Sequence, residues 1–496
     1  MENNAYDYIV VGGGTAGAVV AARLAEDPET SVCLLEAGPS DEGVREILEL
    51  KRWQELLGHE DYGFEFEIEP QERGNSDILH SRGIMLGGCS SHNSAIAFKP
   101  TDGDMRRWEE AGAKGWGPDG VAEYFSRVSR TVNMEPSEWG NPAVESFLAA
   151  AEERGFPRLD FSEGVREGAG LFNLNKKGGF RQSSSVAYLH PISGLPNNLT
   201  VLTHTRTSRV IFEDERAVGV ETNRGELRAS REIVLSCGAF DTPKLLMLSG
   251  VGAAEPLGML GLPVVADVPG VGENLLAHPE GVIMWESRHP VPDESANYYE
   301  AGLFAKVDAE SDDPDLMFHF GGEPFDMHTL PKGYPTSEQA FSITPNITHA
   351  KSRGTVRLRS ASPDDPPAID FRYFTDEEGY DERIMVEGIR LARELAATGA
   401  LSEWVERELA PGASARSFEE ISEYVRTTAN TVYHPAGTAK MGAPEDPDAV
   451  VDPELRVRGV EGLRVADASV FPNMISVNPC ITCMMVGEKA ADLVRG

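Results

Sequence analysis

Three things are scarce in this chain of 496 residues, and each scarcity removes a class of function. Cysteine occurs only five times, at Cys33, Cys89, Cys237, Cys480 and Cys483, scattered through apolar or glycine-rich stretches. That usage excludes a disulfide-stapled secreted scaffold and suits a reducing compartment. Cys480 and Cys483 form a Cys-x-x-Cys, but no second cysteine pair or paired histidine supplies the remaining ligands of a zinc site. The pair therefore reads as the buried start of a helix, and no metal is expected. Basic residues are outnumbered, 45 against 80 acidic, and the resulting charge of −35 argues against nucleic acid or an anionic membrane as partner. It suits solubility, salt tolerance or cationic small molecules instead. No apolar run reaches the roughly 18 residues of a membrane-spanning helix. The polar start Met1-Glu2-Asn3-Asn4 leads almost directly into an apolar strand, so the chain reads as cytoplasmic and unprocessed.

What is present starts at that strand. Tyr8-Ile-Val-Val is followed by Gly12-Gly-Gly-Thr-Ala-Gly17, an Ala/Val-rich stretch, and a second apolar run, 32–35, ending in Glu36. This is the pattern of a strand, glycine turn, helix and strand that binds a dinucleotide. Gly12 makes the tight turn, Gly14 lets the backbone approach a pyrophosphate, and Gly17 lets the helix pack on the strand. The helix N-terminus offers free N–H groups and a positive dipole end to the phosphates. Glu36, twenty-four positions after Gly12, is placed to accept hydrogen bonds from a ribose diol and disfavours a 2′-phosphate.

The length implies about two or three domain-sized units. No repeat or low-complexity tract divides them, and the organisation is interleaved. A glycine-rich loop, Gly87-Gly-Cys-Ser-Ser-His-Asn-Ser94, follows the opening unit, with helical stretches at 105–110 and 121–128. Residues 199–202, 208–212 and 217–222 read as strands of a meander. The run Glu232-Ile-Val-Leu-Ser-Cys-Gly, followed by a helix over 242–249, reads as a parallel strand rejoining the first sheet. From about 280 to 430 the character changes to alternating strands, such as the one at 355–359, with a helix near 381–396. A short buried strand ending in Asp467 and an apolar helix over 482–494 close the chain. An acid at that strand end contacts cofactor hydroxyls or caps the following helix.

Taken together, Gly12 to Gly17 with Glu36, the loop from Gly87 to Ser94, Gly238-Ala-Phe-Asp-Thr-Pro-Lys, and the pair His434 with Asn478 resemble the glucose-methanol-choline flavoprotein oxidoreductases. The resemblance covers essentially the whole chain. It is strongest to those members that oxidise choline, through Lys51-Arg-Trp-Gln-Glu-Leu-Leu, Cys89-Ser-Ser-His-Asn-Ser, His278-Pro-Glu-Gly, Asp315-Leu-Met-Phe-His and Asn430-Thr-Val-Tyr-His-Pro. It implies an α/β fold in which a Rossmann-like FAD-binding domain (1–150, 190–279 and 430–496) is interleaved with an α+β substrate domain on an antiparallel sheet (151–189 and 280–429). It implies FAD, held by Gly12, Gly14, Thr15, Ala16 and Gly17, by Glu36 and Ala37, and by Gly87, Gly88, Ser90, Asn93 and Ile96. Val210, Cys237, Gly238, Asp467, Ala468, Asn478, Pro479 and Thr482 complete that set. His92 would bond covalently to the flavin, and Ser94 would lie near the locus where hydride arrives and oxygen reacts.

The chemistry implied is oxidation of an alcohol, in which the hydroxyl proton goes to a base and a hydride passes to flavin N5. His434 is the candidate base, because a neutral imidazole exchanges protons near physiological pH. Asn478 would donate to the same oxygen, and His319 would hold the substrate hydroxyl. Glu280 carries the substrate hint: a carboxylate in an apolar pocket is costly unless a cation compensates it, and a quaternary ammonium is such a cation. Trp53, Phe325, Tyr433 and Val432 match the surrounding cage. Tyr298-Tyr299 departs from the tryptophan expected there, so Tyr299 offers a weaker π face. The expectation is oxidation of choline through betaine aldehyde to glycine betaine, with oxygen reduced to peroxide, in a possible homodimer. Oxidase or dehydrogenase action on another amino alcohol or primary alcohol is the alternative, and a FAD-containing hydroxynitrile lyase is a further one. The remaining histidines are read as surface or packing residues.

Overall fold

The computed structural model of the protein describes residues 5–137, 140–192, 196–292 and 295–496. Residues 1–4, including the polar start noted above, lie outside them. Two sheets organise the chain. The first has seven strands. Its centre is the strand Ala5–Val11, with Val32–Leu35 parallel on one side and the long strand Gly225–Leu235 parallel on the other. Leu463–Val465 adds parallel to Gly225–Leu235, so the end of the sequence returns to the sheet that the beginning opened. All four residues of Val32–Leu35 are buried, as strands covered on both faces require. The helix Gly17–Leu24 packs against the C-terminal helix Cys480–Arg495, and Cys480 and Cys483 are buried in it as thiols.

One strand sits elsewhere than its spacing implied. Leu199–Leu202 is not part of the meander: it pairs in parallel with Val32–Leu35 at the sheet's outer edge. The antiparallel part is Thr207–Glu213 with Arg216–Thr222 and the first half of Gly225–Leu235. Short strands 8 to 12 residues apart read as consecutive partners from sequence, and nothing local reveals a crossing to the opposite edge.

The second sheet is antiparallel. Its strands Ile283–Ser287, Ala340–Ile347, Leu316–Gly321, Ala301–Ala305 and Gly168–Leu171 lie side by side, and almost every side chain in them is buried. The helix Tyr380–Ala396 covers one face of this sheet. At its margin the two-residue strand Pro279–Glu280 pairs with Asn430–Thr431 on one side and, through Glu280, with Asn346 on the other. This small ladder brings residues 280, 346 and 430 side by side. Among the described residues no helix is long and apolar enough to cross a membrane.

Candidate active site

A cavity of about 450 Å³ opens where the first sheet meets the glycine-rich loops. The three fingerprint glycines differ in what surrounds them. Gly12 has φ +98°, a left-handed conformation that favours glycine, and a Cβ at Gly17 would stand 1.9 Å from the Gly12 carbonyl oxygen. A Cβ at Gly14 would meet nothing nearer than 3.8 Å, so that residue's face is open, as approach to a ligand requires. Gly87 donates its N–H to the Gly13 carbonyl at 2.7 Å, which stacks the second glycine loop on the first. Glu36 is buried and accepts from the N–H groups of Gly13 (2.9 Å) and Gly38 (2.8 Å), one on each oxygen. The N–H of Ala37 is a third backbone donor, and the remaining acceptor capacity is left for a diol. Burial pushes this carboxyl up to about 7.

Of the positions expected to hold the cofactor, Gly12, Gly14, Thr15, Ala16, Glu36 and Ala37 line the cavity, as do Gly88, Cys237, Gly238, Asp467 and Ala468. Gly17, Gly87, Ser90, His92, Asn93, Ser94, Ile96 and Pro479 are not among the residues that line it. Ser90 Oγ donates to the Gly87 carbonyl at 2.6 Å, and Ser94 offers its carbonyl to Asn297 at 2.7 Å. Val210 is also set back, its N–H taken by Ser249 Oγ at 2.9 Å. Asp467 lines the cavity but is satisfied by the protein: it accepts from Gly238 N, Thr242 Oγ1 and both the N–H and hydroxyl of Ser469, which makes it the N-cap of the turn Ala468–Val470. The capping role thus holds, and four protein donors fill its lone pairs.

Four lining residues were not expected from the sequence to line the cavity. Arg82 and Lys244 bring positive charge to the wall, and Cys89 and Cys483 line it as thiols rather than packing elsewhere in the core. A single arginine five residues before a glycine loop was the available signal for Arg82. The groups present fit a dinucleotide with a hydrogen-bonding ring system. The side-chain oxygens of Asn478 and Thr482, at the start of the helix Cys480–Arg495, are buried with no partner among the described residues, and buried polar atoms ordinarily have one. FAD supplies donors and acceptors for such atoms.

Arg82 connects this cavity to the second group of residues by donating to the Tyr433 carbonyl at 3.2 Å. Tyr433 has φ +60°, a strained conformation for a bulky residue, of the kind that clusters at functional sites. His434 follows it. Its Nε2 lies 3.4 Å from Asn478 Nδ2 and its Nδ1 2.9 Å from His278 Nδ1. The protons in this relay are determined by backbone. His278 Nε2 faces two carbonyls, Ile475 O at 2.8 Å and Thr348 O at 3.1 Å, so it must carry hydrogen. His278 Nδ1 is then an acceptor, His434 Nδ1–H donates to it, and His434 Nε2 is left as a bare lone pair with Asn478 donating toward it. Burial holds all of these rings neutral: His434 falls well below the ordinary histidine value, and His278 to about 4. The sequence reading left His278 among packing residues, and this is corrected here. Its only local signal was its place two residues before Glu280.

His319 is buried beside Glu280, Nδ1 to Oε1 at 3.9 Å, and accepts from Asn346 Nδ2 at 3.3 Å. Burial lowers it to about 3 and raises Glu280 to about 8. Around them the aromatic residues meet edge to face: Tyr299 lies 6.3 Å from Trp53, 6.1 Å from Phe325 and 6.5 Å from His319 between ring centroids. Trp53 is held by its Nε1 donating to the Asn297 carbonyl at 3.1 Å, and Val432 by its N–H on the His278 carbonyl at 3.1 Å. The catalytic and substrate residues expected from sequence therefore come from seven separate stretches, and none of them lines the cavity itself.

The chain matches the models of the GMC oxidoreductases, the N-terminal one over residues 6–280 and the C-terminal one over 350–487. It is 50% identical to choline oxidase of Arthrobacter globiformis, over 100% of this chain and 95% of that one. It is 35% identical to mitochondrial choline dehydrogenase of Mus musculus, over 99% of this chain and 89% of that one. The solved structure of pyridoxine 4-oxidase from Mesorbium loti superposes with a TM-score of 0.91 at 29% identity, covering 98% of each chain. A Rossmann-like sheet closed by its own C-terminus, a dinucleotide cavity and a histidine with a bare lone pair beside it thus occur in a chain alike in sequence from end to end, and the protein belongs to the GMC oxidoreductase family, whose cofactor is FAD.

Proposed function

We propose that the protein oxidises choline to betaine aldehyde and then, through the aldehyde hydrate, to glycine betaine, with oxygen as acceptor and hydrogen peroxide as co-product. The observation that carries this reading is the buried Glu280 beside His319, against which Tyr299 packs, with Trp53 and Phe325 in turn against Tyr299. Among the described residues no lysine or arginine pairs with it: its polar neighbours are the neutral His319, the hydroxyl of Thr344 and the amide of Asn430. A quaternary ammonium donates no ordinary hydrogen bond, and it is recognised by an opposite charge and by π faces, both of which are here. Tyr299, Trp53, Phe325 and Tyr433 supply the faces.

In this reading the substrate hydroxyl lies against His434 Nε2, whose lone pair accepts its proton. His278 keeps that lone pair free by holding the other proton of His434 on Nδ1. Asn478 Nδ2 turns from His434 to donate to the developing alkoxide, and His319 Nε2–H, free because Nδ1 accepts from Asn346, is a second donor. Enclosure by the aromatic ring excludes water from the reacting carbon. FAD, when bound, takes the hydride and passes the electrons to oxygen. His92 is the proposed covalent link: burial keeps it neutral, down to about 3, so its ring retains a lone pair for bonding carbon, and Ser81 Oγ at 3.2 Å orients Nε2.

The test is oxygen uptake and peroxide formation by the yellow protein with choline and with 3,3-dimethylbutan-1-ol, which replaces the ammonium nitrogen by carbon. Preference for choline by about tenfold or more is expected from a buried ion pair. Equal use of both alcohols would remove Glu280 from substrate recognition, and no peroxide with either would overturn the oxidase reading. Flavin that stays with acid-precipitated protein supports the His92 link, and flavin released to the supernatant overturns it.

A further inference from the structure

Glu280 sits between two asparagines on neighbouring strands, and which face Asn430 turns to it decides whether the carboxylate meets a donor or an acceptor. That orientation is determined outside the site. Asn75, in the loop after Gly63–Glu67, accepts the N–H of Asp77 on Oδ1 at 3.1 Å and donates from Nδ2 to the Ala429 carbonyl at 3.1 Å. These two backbone groups fix its amide, since neither can change role. The same Nδ2 lies 3.4 Å from His328 Nδ1, which must therefore be an acceptor. The proton of His328 is then on Nε2, 2.8 Å from Asn430 Oδ1. Asn430 Oδ1 accepts it, and Asn430 Nδ2 is directed at Glu280 Oε2, 3.5 Å away.

From this chain we infer that His328 is a positioning residue for substrate choice: it sets the Asn430 amide to donate to Glu280 and so favours the carboxylate form that a quaternary ammonium requires. With the amide reversed, Asn430 would present an oxygen to Glu280, repelling the anion and accommodating only the protonated acid. The energetic need is clear, because burial opposes ionisation of Glu280 and the hydrogen bonds that counter it come from two side chains, Thr344 and Asn430, of which only the Asn430 amide can be turned to oppose it. His328 is buried, and its burial holds it below the ordinary histidine value, which keeps the single proton and its direction. It touches neither the cavity nor the histidine relay. The turn that carries it also carries Phe325 of the aromatic ring and Met327, whose sulfur lies 3.7 Å from Tyr433 OH and 3.9 Å from Asn430 Nδ2. One short segment thus supplies a cage wall and orients the charge inside it.

This inference rests on the choline reading, and two substitutions test it. His328→Leu removes the N–H. Asn75→Leu removes the donor that holds His328 Nδ1 as an acceptor, so the His328 proton is no longer fixed on Nε2, without altering any residue near the substrate. In each, kcat/KM for choline is expected to fall about tenfold or more while that for 3,3-dimethylbutan-1-ol changes less than about threefold. A purely structural role would lower both alcohols alike. If one variant cannot be purified with its flavin, the other decides. A wild-type preference for choline that survives in the purified variants overturns the role of His328. Absence of that preference in the wild type overturns the substrate reading itself.

Discussion

The two sheets of this molecule build function in different ways. Around the first, many working groups are backbone: glycines that admit a close approach, N–H groups at a turn, and one acid at a strand end, beginning in the short span from Gly12 to Gly38. Around the second they are side chains whose proton positions matter, drawn from residues near 53, 278, 319, 328, 430 and 478. The first kind of site depends on space and tolerates few changes in volume. The second depends on hydrogen-bond direction, so volume-conserving changes can disable it. Substitutions chosen in each region test that contrast.

The largest effect is expected at Gly17. A Cβ there would lie 1.9 Å from backbone oxygen of Gly12, and backbone cannot yield as a side chain can. Gly17→Ala should give a protein that purifies without flavin, read from the absorbance near 450 nm, which is about where oxidised flavins absorb. Gly14→Ala is the contrasting case. Its added methyl meets nothing nearer than 3.8 Å within the chain, so the melting temperature of the flavin-free protein should hold while flavin content falls. Full flavin content in Gly17→Ala, or a strongly lowered melting temperature in Gly14→Ala, would break the proposed division between fold and ligand contacts.

Next in size is His434→Ala. The substitution leaves the dinucleotide cavity untouched, so flavin should be retained. Anaerobic bleaching by choline should slow about 10²- to 10⁴-fold, the ordinary worth of a positioned general base. Bleaching at the wild-type rate would remove the lone pair of His434 from the mechanism. Loss of flavin instead would show that the second region supports the first, against the comparison drawn here.

How much was legible in the sequence follows the same contrast. The opening strand, turn and helix could be read because each residue's role depends on neighbours a few positions away. So could the buried helices at 380–396 and 480–495, through their apolar period. His278 and His328 could not: each acquires its role from a carbonyl or amide supplied by a remote part of the chain, Ile475 for one and Asn75 for the other. In sequence each is one histidine among eleven. The expectations at His434, Asn478, His319 and Glu280 came through resemblance, since no spacing links 280 to 434. The misplaced edge strand Leu199–Leu202 has the same origin, because its partner Val32–Leu35 lies far back in the chain.

Glu280→Gln should act on one substrate only. The amide keeps the volume and removes the charge, so kcat/KM for choline should fall about a hundredfold, as when one partner of a buried pair is lost. The value for 3,3-dimethylbutan-1-ol should hold or rise, because burying an uncompensated acid is itself unfavourable. Equal losses for both alcohols would make Glu280 a packing residue.

A dependence on pH is the most discriminating test, because its sign is unusual for an acid. Glu280 is raised from 4.5 to about 8 by burial, so between these values the folded protein holds a proton that the unfolded chain has lost. The native state therefore binds more protons than the unfolded one, and this group's contribution to stability falls as pH rises from about 4.5 to about 8. A paired surface carboxylate behaves in the opposite way. A quaternary ammonium binds the ionised form, so choline must displace that proton, and its affinity should rise with pH by up to about tenfold per unit until near pH 8, then level off. The neutral alcohol carries no such linkage. The KM for choline should accordingly fall from pH 6 to pH 8 while that for 3,3-dimethylbutan-1-ol stays level, and both should stay level in Glu280→Gln. Parallel slopes for the two alcohols in the wild type would place the titration elsewhere, on a group that serves the hydroxyl rather than the ammonium.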